Sequence, residues 1–237
     1  MSTRTAESSV LGVDGIRGGW VGALLTGSDE VEWLVVDHVG QLMAALEPAL
    51  VATIAIDIPI GLSEGPPRRC DTEARSRLGR RGSSVFPAPT RPSVRDWVGG
   101  ATYAQAVSCA HARGHAAPSQ QTWNILGKVA EVDAWLTPGR HARVVECHPE
   151  VSLRALDGRV SAPKRTPDGR AQRRDALRGW VDVEHALRAL PRGVPETDAL
   201  DALACAWTAQ RVQRGAAEVL GDPQARDSLG LEMLIRW

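Results

Sequence analysis

The sequence predicts an α/β fold built on a mixed sheet, and three observations carry that prediction. Short β-prone runs crowd its opening part: "VLGVDG", "GWVGALLTG" and "VEWLVVD", set apart by Gly, Asp and Ser. An apolar stretch at helical spacing, "GQLMAALEPAL", follows them. Next comes "VATIAIDIPI", a nearly continuous apolar run of the kind found in strands buried on both faces. Three strands, a helix and a buried fourth strand together describe a mixed sheet covered by helices.

Each element follows from its residues. The gap between the first two runs is too short for anything but an antiparallel hairpin, and the third run belongs beside it. Pro48 disfavours continuation of the first helix, because proline lacks the amide that the helix needs. The fourth strand spans Val51 to Ile60. From about 61 to 118 the periodicity weakens and Pro and Arg accumulate, which predicts a loop-and-helix insertion within a single domain covering 1–237. "SQQTWNILGKVAEVDAWL" restores helical spacing from Ser119 to Leu136, with Ser119 as its cap. "ARVVECHPEV" resumes strand character and ends its apolar part on Glu146. A basic linker or helix precedes the last helix, which contains "ETDALDALACAW".

Composition narrows the function classes. The chain has 237 residues with 28 basic and 28 acidic side chains, so no global charge draws it to nucleic acid or membrane. Any polyanion must be met by local patches. Only Lys128 and Lys164 are lysines; the other basic residues are arginines. No secretory leader is evident and no apolar stretch is long enough to span a bilayer, so a cytoplasmic protein with no membrane partner is expected. Four scattered cysteines without a C-x-x-C pair exclude a zinc knuckle and a disulfide framework.

The chemistry-bearing signal is a set of carboxylates at apolar strand ends. Asp14 follows "VLGV", Asp57 interrupts "IAIDIPIGL" and Glu146 closes "RVVE". Asp198 and Asp201 share one face of the last helix at the i, i+3 spacing, with Ala199, Ala202 and Cys205 keeping that helix slim. In open α/β sheets functional residues gather beyond strand ends. Asp14 alone suits a turn and Asp198 alone suits a helix dipole, but Asp57 has no turn to serve. Acids converging in a partly dry site repel one another unless a divalent cation neutralises them. Mg²⁺ or Mn²⁺ fits, since both accept all-oxygen shells. Two such ions about 4 Å apart would clamp a phosphodiester.

These residues resemble the ribonuclease H-like superfamily, whose hairpin, third strand, helix, acidic fourth strand and late acidic helix match Asp14, Asp57 and "DALD". The late acidic pair is most similar to that of Holliday-junction resolvases. More closely, the chain resembles domain-of-unknown-function family 429, described as predicted ribonuclease H-like nucleases. "GVDGIRGGWVGA", "AIDIPIGL", "RRGSSVFPAPTR", "SQQTWNILGKVAEVD", "ECHPEVSLRAL", "KRTPDGRAQR" and "DALDALACA" carry the likeness. The resemblance implies a ribonuclease H-like mixed sheet and metal binding by Asp14, Asp57 and Asp201, with Asp198 as an alternate or additional ligand. It also implies that Glu146 and Glu150 line the same cleft, with Glu146 a candidate ligand and catalytic residue, while Glu150 equally suits a cap on the following helix. Asp57 stands where many nucleases of the superfamily use Glu.

Around this set, "KRTPDGRAQRR" offers Lys164, Arg170 and Arg173 as phosphate contacts. "GRRGSS" lacks the G-K-[ST] of a P-loop, and Ser83 and Ser84 sit in no nucleophile elbow. The expected function is metal-dependent hydrolysis of a nucleic acid, DNA or RNA. Two alternatives stand beside it: a phosphotransferase of the sugar-kinase and actin type, and a non-catalytic binding protein that keeps the fold. A homodimer stays open.

Overall fold

The computed structural model describes residues 9–26, 30–46, 51–136 and 142–237. Along the chain come β1 (Ser9–Ile16), β2 (Gly19–Leu25), β3 (Val31–Val36), α1 (Val39–Leu46) and β4 (Val51–Ile56). Helices α2 (Arg69–Leu78), α3 (Arg91–Val98), α4 (Tyr103–Ala112) and α5 (Gln120–Trp135) follow. Then come β5 (Val144–Glu146), α6 (Pro149–Leu156), α7 (Pro167–Arg178), α8 (Val183–Arg188) and α9 (Glu196–Gln213). Pro48, expected to limit α1, lies outside the described residues.

Two compact units arise. The first holds the sheet and α6 to α9; the second runs over 58–142 and 219–235. In the first, the strand order is β3-β2-β1-β4-β5. The β1–β2 hairpin turns at Gly18, whose φ of 81° is open to glycine at no steric cost. β1 pairs with β2 antiparallel and with β4 parallel, and β4 pairs with β5 parallel. This is the predicted mixed sheet, three antiparallel strands followed by parallel ones, flanked by helices and consistent with a ribonuclease H-like layout. Among the described residues no helix is long and apolar enough to cross a membrane.

Register decides which side chains share a face, because successive strand residues alternate. Val13 pairs with Ile56 and Ile56 with Glu146. Asp14 is therefore level with Asp57, and Asp57 with Cys147, all on the face where Gly12, Ala55 and Val145 meet α9. β4 ends at Ile56, so Asp57 lies just past the strand and not at its centre as the apolar run suggested. Its amide still bonds the Val13 carbonyl at 3.0 Å, which holds it beside Asp14.

Helix α9 packs its small residues flush on β1. A Cβ placed on Gly12 would lie 2.0 Å from the Ala206 nitrogen and 2.1 Å from the Ala202 oxygen. Only glycine permits that approach. In the second unit α5 begins at the predicted cap, where the Ser119 hydroxyl accepts from the Thr122 amide at 3.1 Å. That unit is pinned internally by the buried Arg91, which bonds both Asp133 and Asp227.

Candidate metal centre

Two elements place three carboxylates together. β1 supplies Asp14, and the first two turns of α9 supply Asp198 and Asp201. One oxygen from each of the three lies within 4.8 Å of the others. Asp14 and Asp201 are buried and Asp198 is half-buried. The i, i+3 spacing and the close approach at Gly12 cause this convergence, as helix geometry predicts.

Every one of these carboxylates already has one oxygen engaged. The Gly15 amide donates to Asp14 Oδ1 at 2.7 Å, and the Thr197 hydroxyl donates to Asp198 Oδ1 at 3.1 Å. Lys164 Nζ donates to Asp201 Oδ2 at 2.5 Å. Asp201 Oδ1 is buried and has no hydrogen-bond partner. An uncompensated carboxylate oxygen in a dry setting is costly, so it points to a cation that would complete it.

Electrostatics agree with that geometry. Burial and then the neighbouring Asp57, Asp201 and Asp198 push the Asp14 carboxyl well above the usual range, with Lys164 opposing. Burial pushes Asp57 up to about 6, against the pull of Lys164 and with Glu150 and Asp198 adding to it. Burial likewise pushes Asp201 up to about 6, although Lys164 opposes it. Burial works against the charge of Lys164, but Asp201, Asp14 and Asp57 outweigh it and hold the ammonium above the ordinary lysine range.

A pH dependence follows. Between the ordinary carboxylate value of 3.8 and about 6, the folded chain keeps protons on Asp57 and Asp201 that the unfolded chain has released. Stability must therefore fall as pH rises through that window, and the loss is complete above it. Asp157, held down at about 2 by Arg159, acts below the window and does not mask it. Metal-stripped protein is expected to melt lower near pH 7.5 than near pH 5, and Mn²⁺ at the higher pH should restore the difference. Melting curves in chelator that stay flat or rise across those values would contradict this account.

The remaining predicted residues separate. Asp57 is half-buried and close enough to raise the Asp14 carboxyl, yet it stands outside the group of three. Glu146 is not brought to the cluster. Level with Ile56 and Val13, it projects from the opposite face of the sheet, because strand side chains alternate. Glu150, in the first turn of α6, is on the cluster's side and acts on Asp57 and Asp201.

Arg173 presents no surface to a substrate. It is fully buried, its Nη2 bonds Glu150 Oε1, and its Nη1 bonds the carbonyls of Ala162 at 3.0 Å and Gly169 at 2.7 Å. Arginine suits this position because its fork satisfies several acceptors at once. Arg170 is half-buried and lines a shallow groove with Arg174 and Arg178, where Glu184 and Glu196 also stand. Lys164 keeps 37% of its side-chain surface at the rim of the carboxylates.

Spacing along the chain did not reveal one pair. Cys147 Sγ and Cys205 Sγ lie 2.9 Å apart, both buried beneath the acids. Burial raises both thiols, Cys205 furthest, so they stay protonated and serve as compact filler, not as thiolate ligands. Parallel register alone could have found them, since Cys147 is level with Asp57 and Cys205 is one helical turn beyond Asp201.

A family model described as "Protein of unknown function (DUF429)" matches residues 12–226. Neither a curated protein nor a solved structure matches the chain.

Proposed function

We propose that this chain, which belongs to the family DUF429, is a hydrolase of nucleic-acid phosphodiesters that depends on a divalent cation, Mg²⁺ or Mn²⁺. The observation that carries the reading is the buried, unpartnered Asp201 Oδ1 within a group of three converging carboxylates. Asp14, Asp198 and Asp201 would hold the ion through oxygen alone, the donor set hard cations prefer. A divalent ion held there would supply Lewis acidity, activating water and polarising a phosphoryl oxygen. Asp57 adds a fourth negative charge at the rim of the group. Lys164 presents a fixed positive charge beside it, and Arg170 adds one on α7, in a groove whose other arginines are paired with Asp175, Glu184 and Glu196. These charges suit a phosphate backbone, which is read mainly by Arg and Lys.

One observation favours a second reading. Lys164 pairs directly with Asp201. A binding protein that keeps the fold without an ion would also neutralise its carboxylates in this way.

Cleavage assays separate the two readings. Wild-type protein with Mn²⁺ should cut at least one of branched DNA, RNA–DNA hybrid or single-stranded RNA. Asp57→Asn should fold normally and lose that cutting, since it preserves shape while removing charge. Full cleavage by Asp57→Asn would remove Asp57 from the machinery. No Mn²⁺ bound by the wild type, in calorimetry or by anomalous scattering, would leave the binding-protein reading standing.

A further inference from the structure

We propose that Lys164 is a built-in second cation, so that this centre holds one divalent ion per chain where the carboxylate pattern alone suggests two. The inference rests on the metal-site reading above and specifies it.

Oxygen supply sets the limit. Two ions a few ångströms apart share a bridging carboxylate that gives one oxygen to each. Asp14 Oδ1 accepts from the Gly15 amide, Asp198 Oδ1 from the Thr197 hydroxyl, and Asp201 Oδ2 from Lys164. Of these donors only Lys164 is a cation and so competes with an ion for its oxygen, while the three residues bring one oxygen each within 4.8 Å of the others, a single three-oxygen face. The ammonium sits on Asp201 Oδ2, the other oxygen of the carboxylate whose Oδ1 has no partner, and it is attracted there by Asp14 and Asp57 as well.

Lys164 does not arrive there by chance, because its segment is clamped from α7. Gln172 Oε1 accepts from the amides of Ser161 and Ala162, both at 2.9 Å. Arg173 bonds the Ala162 carbonyl on the same segment at 3.0 Å. The Pro163 carbonyl lies against Gly169 so closely that a Cβ there would come within 1.9 Å of its oxygen. Thr166 caps α7 through the Gly169 amide at 3.0 Å. A freely solvated lysine needs none of this. The buried Arg173 therefore links Glu150 to the segment that delivers the ammonium, which explains an arginine with no substrate-facing surface.

The role makes chemical sense as well. An ammonium is a fixed charge that leaves with neither product nor chelator, whereas a second ion must be recruited from solution. A phosphodiester entering the site would meet one exchangeable cation and one permanent one.

Counting bound Mn²⁺ tests this, using calorimetry and native mass spectrometry on the full chain. Wild type should bind one ion per chain. Lys164→Met, which keeps the stem and removes the charge, should bind two, because Asp201 Oδ2 is freed from its cation. Lys164→Arg should return the count to one. Two ions in the wild type would overturn the inference while leaving the metal-dependent reading intact. A count of one in Lys164→Met would overturn it too, since Lys164 would then exclude nothing. No ion in the wild type would sink both. Should Lys164→Met not fold, anomalous scattering from Mn²⁺-soaked wild type decides. A single peak among Asp14, Asp198 and Asp201 supports the inference, and a second peak beside Lys164 Nζ overturns it.

Discussion

On the proposed metal reading, Asp14→Asn is expected to lose divalent-ion binding and yet melt at a higher temperature than the wild type when both are metal-free. The two effects share one cause. Asp14 is buried on β1, and burial together with Asp57, Asp201 and Asp198 disfavours its charged form. Asparagine keeps the shape and can still accept the Gly15 amide through Oδ1, the bond seen at 2.7 Å. What it removes is the charge that the neighbouring acids repel. Relief of such functional-site strain commonly gains about 1 kcal/mol, or a few degrees in a chain of this length. The cost falls on the ion. If Asp14 is one of three anionic ligands, as proposed, its loss removes on the order of 3 kcal/mol of cation-derived stabilisation, so the proposed cleavage should drop by at least about 100-fold. Calorimetry with Mn²⁺ and melting curves in chelator read the two halves separately. Unchanged Mn²⁺ affinity would take Asp14 out of the ligand set. A lower melting temperature without metal would show that the Asp14 charge is compensated in a way its neighbours do not reveal.

Distance along the chain decides which parts of the molecule were legible in the sequence. Local signals were dependable. The tight gap before Gly19 gave the hairpin, and Ser119 gave the start of α5, because turns and caps depend on residues only a few positions apart. The i, i+3 pair on α9 was legible for the same reason. Register was not. Asp57 and Glu146 looked alike, each an acid at an apolar run, but they project from opposite faces because Val13 pairs with Ile56 and Ile56 with Glu146. A pairing between strands that enter the sheet from distant parts of the chain leaves no trace in local periodicity. Arg173 is hidden by the same gap in information. Its partner Glu150 is 23 residues away, and nothing in "KRTPDGRAQRR" distinguishes the one buried arginine from its half-buried and exposed neighbours. Lys164 is marked in the sequence by its basic stretch and by the rarity of lysine, not by its partner. Its contact with Asp201, 37 residues on, depended on the clamped segment before α7.

Gly12→Ala should be strongly damaging in the first unit, and on the proposed metal reading its damage should reach ion binding. The added Cβ would sit 2.0 Å from the Ala206 nitrogen and 2.1 Å from the Ala202 oxygen. Both are backbone atoms of α9, so no side chain can rotate away. Ordinary contact requires about 3.5 Å, which means that helix and strand must separate by roughly 1.5 Å. Overpacking of this kind costs about 3 kcal/mol or more, since close-packed interiors cannot absorb the shift. Asp198 and Asp201 are carried by the helix that would move, while Asp14 stays with the strand. An ion that needs oxygens at about 2.1 Å cannot follow a displacement of that size and keep all three. Gly12→Ala is therefore expected to lower the melting temperature and weaken Mn²⁺ binding together, though it alters no ligand. Should affinity hold while stability drops, the carboxylates would have to be positioned independently of the β1–α9 contact. Should neither change, the close approach at Gly12 would not be what brings the two halves of the centre together.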